Sequence, residues 1–155
     1  MRIQEVMSQP VVTCPISGTL AQAAQLMWEH DCGIAPIVND DGQLVGVVTD
    51  RDVCMASYTQ GKALHEIPVT TAMSNHVVVA RLEDDVEDVE ALMRKHKVRR
   101  IPVLGAEGRP VGLASVGDLA RVAARVPGNG ADREVAETLA AVSQPRLTFP
   151  VRLAG

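Results

Sequence analysis

The sequence predicts a mixed α/β (α+β) fold built from two copies of a β-α-β-β-α unit. Three observations carry this. First, the apolar runs Ile34-Ala35-Pro36-Ile37-Val38 and Leu44-Val45-Gly46-Val47-Val48 flank an Asp41-Gly42 turn, a hairpin signal. Second, Thr49-Asp50-Arg51-Asp52 follows at once, placing a hydroxyl cap and a carboxylate three residues apart at the start of a helix. Third, the stretch returns in the second half without a gap, so that Thr49 answers to Ser115 and Asp52 to Asp118 in Ser115-Val116-Gly117-Asp118. From Met7 to Val53, twelve of forty-seven positions are identical to their partners at this constant offset, among them Met7, Leu26, Met27, His30, Pro36, Gly42, Val45, Gly46 and Asp52. A duplicated unit explains this.

Taken in order, Ile3 to Met7 reads as a short helical lead-in and Pro10 to Pro15 as an extended segment bracketed by prolines. Thr19 caps a helix through about His30, with Leu20, Ala23, Ala24 and Met27 at helical spacing; Val86, Val89 and Met93 answer in the second copy. After the hairpin, a helix runs from about Asp50 to Gln60. The segment 61–68, broken by Pro68, joins the halves. The second copy has a strand near Val77-Val78-Val79-Ala80, a helix from about Asp85 to His96, its hairpin, and a helix capped by Ser115 to about Val126. Acidic residues crowd the start of the 85–96 helix and basic ones its end, which complements the helix dipole. Beyond Pro127-Gly128-Asn129-Gly130 a short helix is expected from Glu134 to Val142, with Val135, Leu139 and Val142 aligned, then an irregular tail. The boundaries follow: repeats at 1–62 and 63–126, and an extension at 127–155.

Composition excludes several classes. The net charge is −4 and no long basic stripe is present, which argues against nucleic acid. The three aromatic residues, Trp28, Tyr58 and Phe149, lie outside the expected strands, so no stacking platform forms. No run is long enough to span a bilayer, and the start lacks the apolar core of a signal peptide, so a cytoplasmic protein is expected. Cys14, Cys32 and Cys54 show no paired spacing and read as reduced, mostly buried thiols; a zinc site with His30 or His65 lacks ligand spacing. No nucleophile-base pair, Walker motif or dinucleotide fingerprint can be assembled, so no enzyme, catalytic cofactor or metal is expected. Trp28 falls off the buried stripe of its helix, where the second copy has Arg94, and reads as a contact surface.

The pattern Gly-apolar-apolar-Thr/Ser-x-x-Asp after an apolar-Pro-Val/Ile strand resembles the cystathionine-β-synthase (CBS) domain. Two in tandem, over roughly residues 1–125, look like a stand-alone bacterial Bateman module, whose repeats pack about a pseudo-two-fold axis. The resemblance implies an adenosine-containing regulatory ligand, AMP, ADP, ATP or a related compound, in clefts between the repeats. It implies that Thr49 and Ser115 reach a phosphate while Asp52 and Asp118 hold ribose hydroxyls. The adenine would sit among Val12, Thr13, Ala35 and Ile37, or Val78, Val79, Ile101 and Val103. Arg99 and Arg100 stand where similar modules place phosphate contacts, and a guanidinium fork suits that task. Their first-copy partners are Gly33 and Ile34, and Asp50-Arg51 becomes Val116-Gly117, so the clefts are not equivalent. A homodimer and an effector protein are implied as partners.

Blander readings stand beside these. Thr49 with Asp52, and Ser115 with Asp118, form capping boxes that need no ligand. His30 and His96 serve as helix ends, the apolar positions as core, and the arginines as solvated surface. The rival to a sensing module is a scaffold for dimerisation or docking whose clefts bind nothing.

Overall fold

The computed structural model describes residues 1–125 and 130–145. The first repeat contains β1 (Cys14–Pro15), α1 (Leu20–Glu29), β2 (Ile34–Val38), β3 (Leu44–Thr49) and α2 (Asp50–Gln60). The second contains β4 (Ala80–Arg81), α3 (Val86–His96), β5 (Arg100–Leu104), β6 (Pro110–Ser115) and α4 (Val116–Ala123), followed by α5 (Ala131–Ser143). Each repeat forms a three-stranded sheet in which the first strand runs parallel to the second and the second antiparallel to the third. The register itself repeats. Ile34 faces Thr49 and Ile37 faces Gly46, as Arg100 faces Ser115 and Val103 faces Gly112, and each hairpin shifts register one residue later. Gly42 and Gly108 close the two turns at φ of 78° and 75°, a region where a Cβ is strained.

The first core gathers Leu20, Ala23, Ala35, Ile37, Val48, Ile67 and Val69; the second gathers Ile3, Ala80, Val89, Met93, Ile101, Val103 and Ala114. Ile3 and Val69 thus sit in the opposite repeat from the one they precede. The backbone shows the same exchange. Ile3 donates to the Asp84 carbonyl at 2.9 Å and Ser8 pairs with Leu113, while Val69 donates to the Gly18 carbonyl at 3.0 Å and Ser74 pairs with Val47. Each contact in one half has its counterpart at the matching positions of the other. The chain therefore folds as two halves that lend each other their leading segments. Gly46 permits this approach, since a Cβ there would stand 2.8 Å from Met73 Sδ and 3.0 Å from the Ser74 carbonyl.

Several expectations shift. The first strands are two residues long and lie at Cys14–Pro15 and Ala80–Arg81, so Val77 to Val79 lie outside the strand they were expected to form. α4 ends at Ala123, and Val126 and the tail from residue 146 lie outside the described residues. The last helix begins at Ala131 and turns Thr138 and Val142 inward, leaving Leu139 half exposed. It rests on α3 and α4, with Val135 and Val142 against the second core and Arg94 Nη1 donating to Thr138 Oγ1 at 2.7 Å. Of the cysteines only Cys14 is buried; Cys32 is half-buried and Cys54 exposed.

Under α5 lies Glu90, 2 % exposed. Burial raises its pKa above the ordinary 4.5, helped by Glu134 and Glu87 and opposed by Arg94. The folded chain thus holds this proton to higher pH than the unfolded chain does. Its contribution to stability is complete below the ordinary value and is lost as pH rises through the raised one. Glu90→Gln is expected to raise Tm by a few degrees at pH 8, with the gain shrinking towards pH 4.5. A lowered Tm at pH 8 would instead make the Arg94 attraction dominant.

Candidate functional site

The end of each hairpin runs directly into a helix, and the junction is built identically at the level of the cap. The Thr49 amide donates to Asp52 Oδ2 at 2.8 Å, the Thr49 hydroxyl donates to the same oxygen at 2.8 Å, and the Asp52 amide donates to Thr49 Oγ1 at 3.2 Å. Ser115 and Asp118 repeat the arrangement, with the Ser115 amide on Asp118 Oδ2 at 2.8 Å and the Asp118 amide on Ser115 Oγ at 3.1 Å. These are reciprocal capping boxes, as the spacing predicts. One carboxylate oxygen of each aspartate is consumed by its own helix.

The other oxygen distinguishes the halves. Asp118 Oδ1 accepts from the Ser8 hydroxyl at 2.8 Å and from the Arg121 guanidinium, and the residue is only 3 % exposed. Asp52 is half-buried, and its Oδ1 has no hydrogen-bond partner among the described residues. The counterpart of Ser8, Ser74, donates to the His76 carbonyl at 3.5 Å instead, and the counterpart of Arg121 is Met55. One carboxylate is closed by the chain itself and the other keeps an acceptor.

A cation converges on the open junction. The Arg100 side chain crosses from the second repeat to the first, where a Cβ on Gly33 would stand 2.9 Å from both its Nη2 and Asp50 Oδ2. The Gly33 carbonyl accepts from the Asp50 amide at 3.3 Å, so Arg100 lies beside the amino-terminal turn of α2. The dipole's positive end and the guanidinium favour an anion there, while the amides of Asp50, Arg51 and Asp52 are already bonded to the Gly33 carbonyl, Asp50 Oδ1 and Thr49 Oγ1. The second junction has Ile34 in the place of Arg100, and its own Arg121 is spent on Asp118.

The remaining expected contacts are dispersed. Arg99 is drawn away to Ser143 Oγ at 3.4 Å, on α5. Arg51 is exposed in the first turn of α2. The side chains of Ala35, Ile37, Ile101 and Val103 are wholly buried in the two separate cores, because strand alternation turns them inward. Val12 and Thr13 are half-buried in the segment before β1. Val78 packs on the second core, while Val79 and Val77 line a cavity of about 410 Å³ with Asn39, Gln43, Asn75 and Leu104. That cavity lies between the hairpin tips, away from Asp52, and Gln43 Nε2 donates across it to the Glu107 carbonyl at 3.1 Å. Ser8 and Arg121 are the residues that sequence reasoning missed. Arg121 was legible as an i,i+3 partner of Asp118; Ser8 was not, because its docking depends on the exchange of leading segments.

Among the described residues no group of three or more His, Cys, Asp or Glu side chains is placed to hold a metal ion, and no helix is long and apolar enough to cross a membrane. Comparison with known proteins gives concordant results. The family model described as the CBS domain matches residues 3–58 and 66–125. The CBS domain-containing protein YhcV of Bacillus subtilis is 34 % identical over 118 residues, covering 76 % of this chain and 82 % of the relative. Among solved structures, Hypoxic Response Protein I with two coordinated zinc ions is 30 % identical at a TM-score of 0.71, covering 82 % of this chain and 100 % of that one. The CBS domain protein PAE2072 of Pyrobaculum aerophilum, complexed with AMP, is 25 % identical at a TM-score of 0.72, covering 88 % and 99 %.

Proposed function

The chain belongs to the CBS domain family, and we propose on that footing that it is a non-catalytic regulatory module which binds an adenosine-containing ligand at the Thr49–Asp52 junction. The observation that carries the reading is the free acceptor of Asp52 beside the start of α2 and the crossing Arg100. A carboxylate oxygen accepts from ribose hydroxyls, and the Arg100 guanidinium beside the positive end of α2 takes phosphate. Arg100 belongs to one repeat and α2 to the other. A ligand held by both would favour one relative arrangement of the repeats, which is the requirement for signalling. The AMP complex of PAE2072 supports the ligand class.

For the second junction a ligand-free, structural role is favoured by the bonds from Ser8 and Arg121 to Asp118. The scaffold reading applies there and the sensing reading to Asp52. Both the homodimer and the effector protein that accompany such modules need a free surface, and the exposed α1–α2 face with Trp28 supplies one.

A melting-temperature panel with AMP, ADP, ATP, S-adenosylmethionine and NADH tests the reading. A ligand at one hundred times its Kd adds about 2.7 kcal/mol, roughly 5–10 °C for a chain of this size. The shift is expected to vanish in Asp52→Ala and to shrink in Arg100→Gln. No shift with any of the five would make the whole module a scaffold.

A further inference from the structure

Asp50 opens α2 at the Asp52 junction, where the second copy has Val116. Its carboxylate is held on one side and open on the other. Oδ1 accepts from the Arg51 amide at 2.8 Å, a donor that a phosphate oxygen would otherwise take in this turn. A Cβ on Gly33 would stand 2.9 Å from Oδ2 and 2.9 Å from Arg100 Nη2, so the two charged atoms lie within twice that distance of each other. Asp50 thus stands where an anionic ligand approaches Arg100, as an anion that the chain supplies itself.

The charges around this junction do not favour a strongly anionic ligand. Arg100 comes from the second repeat and Arg51 from the first turn of α2, against Asp50 and Asp52. Asp31 lines the same cavity as Asp50 and adds another carboxylate. Arg99, which the sequence offers as a further phosphate contact, is bonded to Ser143 Oγ at 3.4 Å. Two guanidiniums therefore stand among three carboxylates. One phosphate group is matched by Arg100. A triphosphate carries roughly two further charges into surroundings that are already net negative.

Resting on the nucleotide reading of this junction, we propose that Asp50 sets the charge of the ligand, admitting an adenosine compound with a single phosphate group and disfavouring a triphosphate. At about 6 Å in water, one unit charge repels another enough to cost about threefold in affinity. Two charges beyond the first phosphate therefore cost about tenfold. Asp50 is exposed, so added salt weakens the discrimination. Val116 supplies no such filter at the second junction.

Calorimetric titration of the full chain with AMP and with ATP, at low salt and without magnesium, tests this. The unmodified chain is expected to bind AMP about tenfold more tightly than ATP. Asp50→Asn keeps an acceptor for the Arg51 amide and removes only the charge. In that variant the preference is expected to fall to about twofold, chiefly through tighter ATP binding. Added salt is expected to narrow the preference of the unmodified chain and to leave that of the variant nearly unchanged. Equal affinities in the unmodified chain, tighter binding of ATP, or a preference that survives Asp50→Asn overturns the proposal while leaving the nucleotide reading in place. Binding of neither nucleotide overturns both.

Discussion

Ile3→Ala is expected to destabilise the protein by about 2–5 kcal/mol, the cost of emptying a closed aliphatic site, and to loosen the second repeat more than the first. Ile3 is 0 % exposed and packs with Val89, Met93, Ile101 and Val103, all of which belong to the second repeat. Its counterpart Val69 does the same work in the first core. Hydrogen exchange reads the difference. Amides of α3, β5 and β6 are expected to lose protection before those of α1, β2 and β3. Earlier loss in the first repeat would mean that the leading segment stays with the repeat it precedes in sequence, and the exchange would be wrong.

The second large effect separates the two aspartates. Asp118→Ala leaves the Ser8 hydroxyl, the Ser115 amide and hydroxyl and Arg121 without their acceptor, for about 2–3 kcal/mol, although Ser115 Oγ still caps the amide at position 118. Arg121 is 63 % exposed, so screening limits its share of that loss. Asp52→Ala removes only the bonds from the Thr49 amide and hydroxyl, at about 1 kcal/mol, and on the proposed reading removes ligand response as well. The expected pattern is therefore crossed. Asp118→Ala lowers Tm strongly yet keeps the ligand-dependent shift, whereas Asp52→Ala lowers Tm slightly and loses it. Chemical denaturation with and without nucleotide measures both arms; equal stability losses would show that the Ser8 and Arg121 contacts add nothing.

Much of this was legible in the sequence because its cause is local. The hairpin turns at Gly42 and Gly108, the caps at Thr19, Thr49 and Ser115, and the constant offset between the copies all follow from short-range chemistry, and α1, α2 and α3 have their expected limits within a residue. The misses are tertiary. Strand pairing of two residues at Cys14–Pro15 leaves no periodic signal, and the buried face of α5 takes Val135 and Val142 as expected but Thr138, held by Arg94, in place of Leu139. The same holds at the candidate site. Spacing gave the capping boxes, but the closing of Asp118 by Ser8 required the leading segments to cross over, and Arg99 was diverted by a helix beyond the repeat.

The asymmetry of the two junctions is most directly measured by calorimetric titration of the full chain with the nucleotide that gives the largest thermal shift. One equivalent is expected to bind per chain, with binding abolished in Asp52→Ala and retained in Asp118→Ala. Two equivalents per chain, or binding that survives Asp52→Ala and is lost in Asp118→Ala, would contradict it.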